Sequence, residues 1–216
     1  MLNESNVTAD VLDRALAAGV WQESPLVGLD ALLGADQARD KTVFRLRERP
    51  FLELVNIRGD ARDPVFVEAS ESILGCRPPT QPNTVARGTH HDVLWLGPDE
   101  WLARSTLPHD AASAAPLEQA LRTRFGTTFA SATDVGSGYT VLHISGSQVR
   151  DVLSRGCPLD LHPRVFTIGQ CAQSLYFKAS LTLMQTAEDT FELIIRRSFA
   201  DYFVRIMLDA AAPLRT

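Results

Sequence analysis

Lysine is almost missing from this chain: of 21 basic residues only Lys41 and Lys178 are lysine, and the rest are arginine. A mechanism that needs several lysines is thereby excluded. Neither lysine sits in a glycine-rich loop opening a helix, so a P-loop phosphate cradle is excluded as well. Cysteine is scarce. Cys76, Cys157 and Cys171 are odd in number and widely spaced, which fits neither a disulfide framework nor a C-x-x-C metal or redox pair. The expectation is three unpaired thiols in a reducing compartment. No apolar run approaches the ~18 residues that span a bilayer, and residues 1–6 lack the basic and apolar regions of a secretory leader. A cytoplasmic chain with no membrane partner is therefore expected. An excess of basic charge is missing too: Asp and Glu number 26, giving a net charge of −5. That balance argues against a nucleic-acid partner held through its phosphates.

What is present is ample apolar material. Of 216 residues, 45% are hydrophobic, and a chain this long buries roughly 70% of the surface its unfolded form exposes without metal or disulfide staples. Residues 1–40 read as an N-terminal arm. Thr8 can cap a helix running to Ala18, with Val11, Leu12, Ala15 and Leu16 on one face and Gly19 as its stop. Phe44 and Leu46 alternate with Arg45 and Arg47, the period of an extended segment over 42–47.

From residue 51 a regular order emerges. A strand is expected over 51–58. Asp63 is placed as an N-cap with Pro64 at the first helical position, and Phe66, Ala69 and Ile73 recur at helical spacing before Gly75. Strands at 91–96 and 100–105 flank Gly97-Pro98-Asp99, a hairpin turn. A helix over 116–125 and a strand over 127–132 follow. The order β-α-β-β-α-β is that of a ferredoxin-like split unit. A second half opens the same way: a strand at 139–145, a helix capped by Ser147, strands at 171–177, 180–185 and 190–196, then a helix starting at Ser198 with Asp201 as its capping partner. The strings LELVNIRGD (52–60) and YTVLHISGS (139–147) both run strand, Gly, cap, helix. The sequence thus predicts an α+β fold of duplicated ferredoxin-like halves, residues 41–132 and 133–216, in one compact domain.

Several groups invite a chemical reading. His90 and His91 with His109 raise metal binding, but adjacent strand histidines point to opposite faces and no Cys or carboxylate stands at ligand spacing. No metal site is assigned. Asp134-Val135-Gly136-Ser137-Gly138 precedes a strand rather than a helix, so it reads as a turn in which Asp134 bonds nearby amides, with a ligand contact as the alternative. No G-x-S-x-G elbow anchors a serine nucleophile. His143 lies mid-strand and reads as a hydrogen-bonded core histidine, whereas His162 lies in a loop and is the better surface candidate. Arg196 and Arg197 stand before a helix start, where a planar guanidinium gathers an anion or a partner carboxylate. Trp95 and Trp101, at odd spacing across the hairpin, read as a core pair or as an exposed aromatic anchor for a partner.

The strings LWLGPDEWL (94–102), GCPLDLHP (156–163) and RRSFADY (196–202), with ESPLVGL, RERPFLELVNIRGD and TDVGSGYTVLHISG, resemble the gamma subunits of heterotetrameric sarcosine oxidases. Those subunits are similar in turn to the folate-binding aminomethyltransferase domain of glycine-cleavage T-proteins, a superfamily of duplicated ferredoxin-like units. The resemblance implies a non-catalytic, structural gamma chain beside alpha, beta and delta subunits. Such an assembly oxidatively demethylates sarcosine to glycine, hydrogen peroxide and 5,10-methylenetetrahydrofolate. FAD, FMN, NAD, tetrahydrofolate and zinc are expected in the other subunits and none in this chain. The Gly-Tyr-Thr-Gly-Glu motif of T-proteins, whose glutamate holds the pterin, continues here as Gly138-Tyr139-Thr140-Val141-Leu142. No catalytic residue carries over. Arg196, Arg197, Trp101 and His162 are expected as subunit-interface or anion contacts. The alternative is an aminomethyltransferase-like domain with its own folate or anion site, to which Asp134, Arg196 or Arg197 contributes.

Overall fold

The computed structural model describes residues 23–37, 42–108 and 116–215. The helix expected over 8–18 and the residues Lys41 and His109 lie outside the described residues. Within the arm, the weakly periodic Gly/Leu/Ala stretch forms helix α1 (Asp30–Gln37). Leu26 and Leu29 are buried against the body of the protein, with Leu32 and Leu33 beside them.

Strands β2 (Leu52–Arg58), β3 (Val85–Arg87), β4 (His91–Gly97), β5 (Glu100–Pro108) and β6 (Ser131–Asp134) form one sheet in the order β3-β4-β5-β2-β6. Without the extra edge strand β3, this is the antiparallel order of a ferredoxin-like unit. Helix α2 (Pro64–Leu74) starts as the sequence predicts. Asp63 accepts from the Val65 amide at 2.9 Å, and Gly75 closes it in the left-handed conformation. The first amide of helix α3 (Leu117–Phe125), Leu117 N, donates to a distant side chain, Glu53 Oε1, at 3.0 Å. The strand expected at 127–132 begins only at Ser131, because residues after Gly126 turn back on the helix end through Thr128 N donating to Phe125 O.

Strands β7 (Tyr139–Ser145), β8 (Cys171–Tyr176), β9 (Ala179–Ala187) and β10 (Thr190–Arg196) belong to the second sheet, whose order is β1-β7-β10-β9-β8. Its edge strand β1 (Arg45–Arg49) comes from before the first unit and pairs antiparallel with β7, from Arg45 opposite Ser145 to Arg49 opposite Val141. Read from their outer edges, β3-β4-β5-β2-β6 and β8-β9-β10-β7-β1 correspond position by position. The duplicated strings occupy matching places, β2 and β7. The fourth strand of the second unit is supplied by β1, which the sequence alone groups with the first half.

Helices α4 (Val149–Ser154) and α5 (Ala200–Ala211) cover the outer face of the second sheet. Neither takes the cap expected of it. The amides of Ser147 and Gln148 donate to Thr42 O and Val43 O, which leaves the turn tied to the segment that leads into β1. A 3-10 turn at Arg197–Phe199 precedes α5, and Asp201 pairs with Arg205 one turn on instead of capping.

Each sheet buries its helix side in its own core: Val55, Ile57, Phe66, Trp101 and Leu121 in the first, Leu46, Leu142, Ile144, Phe191 and Phe203 in the second. The other faces meet each other. Leu52, Leu54, Leu94, Leu102, Val141, Cys171, Met184 and Ile194 fill the gap between the sheets, so the layers run helix, sheet, sheet, helix. No described helix is long and apolar enough to cross a membrane.

Candidate functional site

The inter-sheet layer changes character along its length. Side chains two residues apart on a strand share a face. Moving two positions from the apolar residues of four strands gives a polar, ionisable side chain each time: Leu94 to Asp92, Leu102 to Arg104, Ile194 to Glu192, and Val141 to His143. Strand register then assembles these residues into rows. In the second sheet Arg47, His143 and Glu192 lie side by side on β1, β7 and β10. In the first, Arg87, Asp92 and Arg104 do so on β3, β4 and β5. The two rows face one another across a cleft of about 610 Å³, also lined by Arg49, Thr106 and Thr186.

The floor of the cleft is a buried ionic network. Arg104 and Glu192, each 3% exposed, approach to 3.1 Å, and Arg104 also binds the Asp92 carboxylate. Arg49 donates to Glu192 Oε1 and to Thr106 O. His143 Nδ1 stands 3.9 Å from the same carboxylate oxygen. Burial works to raise the Glu192 pKa, but His143, Arg104 and Arg49 outweigh it and hold the group below the ordinary 4.5. Two polar atoms stay without a hydrogen bond inside this network, Arg104 Nε and Glu192 Oε2. Above the floor, Arg47 has no ion-pair or hydrogen-bond partner among the described residues, and Arg87 makes one 3.3 Å bond to Thr186 O. Both are exposed.

Glu48 points the other way. Its carboxylate accepts from Thr140 Oγ1 at 2.6 Å and from Ser24 Oγ, which ties the segment after residue 22 to β1 and β7. Burial dominates there and pushes the Glu48 pKa up, against the two hydroxyl bonds and the nearby Arg197.

The residues singled out by sequence do not converge. Trp101 is fully buried, packs tilted against Phe66 with ring centroids 5.5 Å apart and donates its Nε1–H to Pro79 O at 2.7 Å. It is a core residue and not a surface anchor; its indole proton is satisfied inside the fold. Arg196 is exposed and lies 5.6 Å over the Tyr139 ring, its register partner. Arg197 donates to Glu23 O at 2.7 Å. His162 is exposed in a turn where its Nδ1 accepts from Arg164 N at 3.2 Å. Asp134 Oδ1 accepts from Gly136 N at 2.8 Å, the local turn bond expected of it. His91 is half-buried, and burial lowers its pKa. Among the described residues no three His, Cys, Asp or Glu side chains gather as a metal set.

Arg49, Asp92, Arg104 and Glu192 escaped the sequence reading because they stand on four strands scattered over 144 residues of chain. A signal was present nonetheless: a charge in strand phase with apolar neighbours two places away, as in HDVL, LAR and FELI.

Comparison with known proteins adds a second line. Residues 58–213 match a family profile described as sarcosine oxidase, gamma subunit family. The sarcosine oxidase subunit gamma of Corynebacterium sp. (strain P-1) is 33% identical over 167 residues, 77% of this chain and 79% of that protein. Its counterpart from an Arthrobacter species is 32% identical over 169 residues, 76% and 78% of the two chains. Among solved structures, a chain of the heterotetrameric sarcosine oxidase from Corynebacterium sp. U-96 superposes with a TM-score of 0.80 at 26% identity, covering 90% of this chain and 97% of that one. The glycine cleavage system aminomethyltransferase T of Bartonella henselae shares the fold at a TM-score of 0.57 and 16% identity, over 85% of this chain and 49% of that one.

Proposed function

Because the chain belongs to the sarcosine oxidase gamma subunit family, we propose that it serves as the structural gamma member of a heterotetrameric sarcosine oxidase. The observation that carries this reading is the superposition on a chain of such an oxidase over 97% of that chain's length. The partners are then alpha, beta and delta subunits. The assembly oxidatively demethylates sarcosine to glycine and hydrogen peroxide and passes the one-carbon unit to tetrahydrofolate. FAD, FMN, NAD, the folate and zinc reside in the other subunits, and the setting is cytoplasmic.

The side chains support a scaffold role. A pterin ring needs a buried carboxylate to pair with its N–H groups, since unpaired buried donors are costly. The position that would carry it holds Leu142, which is buried in the helix-side core of the second sheet. The two carboxylates of the inter-sheet cleft, Asp92 and Glu192, are both held by arginines within the chain, and the Glu192–Arg104 pair braces one sheet against the other. Exposed Arg196, Arg197 and His162 are available for subunit contacts, and arginine is enriched at interfaces where lysine is depleted.

Co-expression of the remaining subunits with and without this chain tests the reading. The expected result is loss of the full-size complex, or of its turnover, when the chain is omitted. Assembly to full size with normal turnover in its absence defeats the structural role.

A further inference from the structure

The charge of the inter-sheet cleft does not balance at its mouth. On the floor, Arg49 and Arg104 are matched by Asp92 and Glu192. Glu48, though it borders the cleft, sends its carboxylate to Ser24 and Thr140 on the opposite side of β1. Arg47 and Arg87 are left over, one on the edge strand of each sheet, with no acidic partner among the described residues. Between them lies an open recess of about 610 Å³, within the roughly 300–1,000 Å³ of ordinary small-molecule sites. Its wall includes the His143 ring, and beneath it Arg104 Nε is a buried donor without an acceptor. Guanidinium forks bind carboxylate and phosphate groups through paired N–H bonds.

We infer that this cleft is a binding site for a small oxyanion, a carboxylate or phosphate group carried on a small molecule, with Arg47 and Arg87 gripping it from the two sheets. The position is separate from Arg196, Arg197 and Asp134, and no catalytic role is attached to it. The buried pairs below keep their mutual bonds and form a rigid polar base. The ligand therefore neutralises the mouth without dismantling the network, and it bridges β1 to β3. The site goes beyond the scaffold role and stands or falls independently of subunit assembly.

The test is calorimetric titration of the full chain with citrate and, separately, with inorganic phosphate. The compared variants are R47A/R87A and R124A, the last on the exposed surface of α3. Saturable binding of either anion below about 1 mM, weakened at least about tenfold by R47A/R87A and untouched by R124A, is the expected result. Citrate alone identifies a carboxylate ligand and phosphate alone a phosphate ligand; each supports the site. R47K/R87K preserves charge and guards against a folding artefact: it keeps weaker binding, because an ammonium lacks the paired geometry. The inference is overturned if neither anion binds saturably, or if binding persists undiminished in R47A/R87A.

Discussion

At Glu192 a carboxylate that is 3% exposed stays ionised because Arg49, Arg104 and His143 surround it. Such a group contributes little beyond what its own desolvation costs, yet removing it leaves Arg49 without a carboxylate and the buried Arg104 with Asp92 alone. Glu192→Ala is expected to destabilise the fold by up to ~3–5 kcal/mol, the range for removing one partner of a buried pair, with Asp92 still on Arg104 holding the loss toward its lower end, read from urea unfolding. Removing Asp201 from its exposed pair with Arg205 gives no resolvable change, because water screens that pair. Equal losses for the two variants would show that the cleft network carries no special weight. The local bonds of this protein were legible from neighbouring residues alone: Asp63 on Val65 and Asp134 on Gly136 are both two-residue reaches. Glu192 was not, since its partners Arg49 and Arg104 arrive from strands 143 and 88 positions away.

At the scale of elements the informative case is β1. Its alternation was readable, but the sheet it joins was not. Gly146 shows what the join requires: its φ is +126°, and a Cβ there would stand 2.5 Å from Val43 O, just ahead of β1. The neighbouring amides of Ser147 and Gln148 bond the same approach. Gly146→Ala should therefore cost roughly 1–3 kcal/mol from backbone strain, with further loss from the contact with Val43. Gly138→Ala, where a Cβ meets nothing within 4 Å, should be close to neutral. Matched denaturation curves check the pair, and a neutral Gly146→Ala would mean that β1 docks without this close approach. The cap of α4 misled the sequence reading for a related reason, whereas at α5 a 3-10 turn comes first and Asp201 pairs with Arg205. A cap residue predicts a helix start only where its amides are not already taken by another segment.

For the whole molecule, Glu48 and Glu192 act on stability in adjacent pH windows. Glu192 titrates below the ordinary 4.5, so its stabilising charge is complete above that value and is lost as pH falls through the depressed pKa. Glu48 titrates above 4.5, so the folded state gains from its protonation below 4.5, and that gain is lost as pH rises through the raised pKa. Wild-type stability should accordingly decline with rising pH just above 4.5, and Glu48→Gln should flatten that decline while leaving the acid-side loss in place. Melting temperatures across the pH range test this; an unchanged slope in Glu48→Gln would remove Glu48 as its source. Glu48 also holds Ser24, and Arg197 holds Glu23, so the titrating group sits where the N-terminal segment meets the second sheet.

The sequence by itself determined the local elements, the duplicated order of strands and helices, the turn at Asp134 and the family. These rest on period-two and helical spacing, short-range capping chemistry and ordered strings of residues, all written within a few positions of one another. The tertiary structure alone decided that β1 completes the second unit, that Trp101 is core, and that Arg47, Arg87, Asp92, Arg104, His143 and Glu192 meet in one cleft. Each of those outcomes depends on which strands pair and which sheet faces oppose. That choice is made by burying the apolar inter-sheet layer as a whole, and no single stretch of chain encodes it.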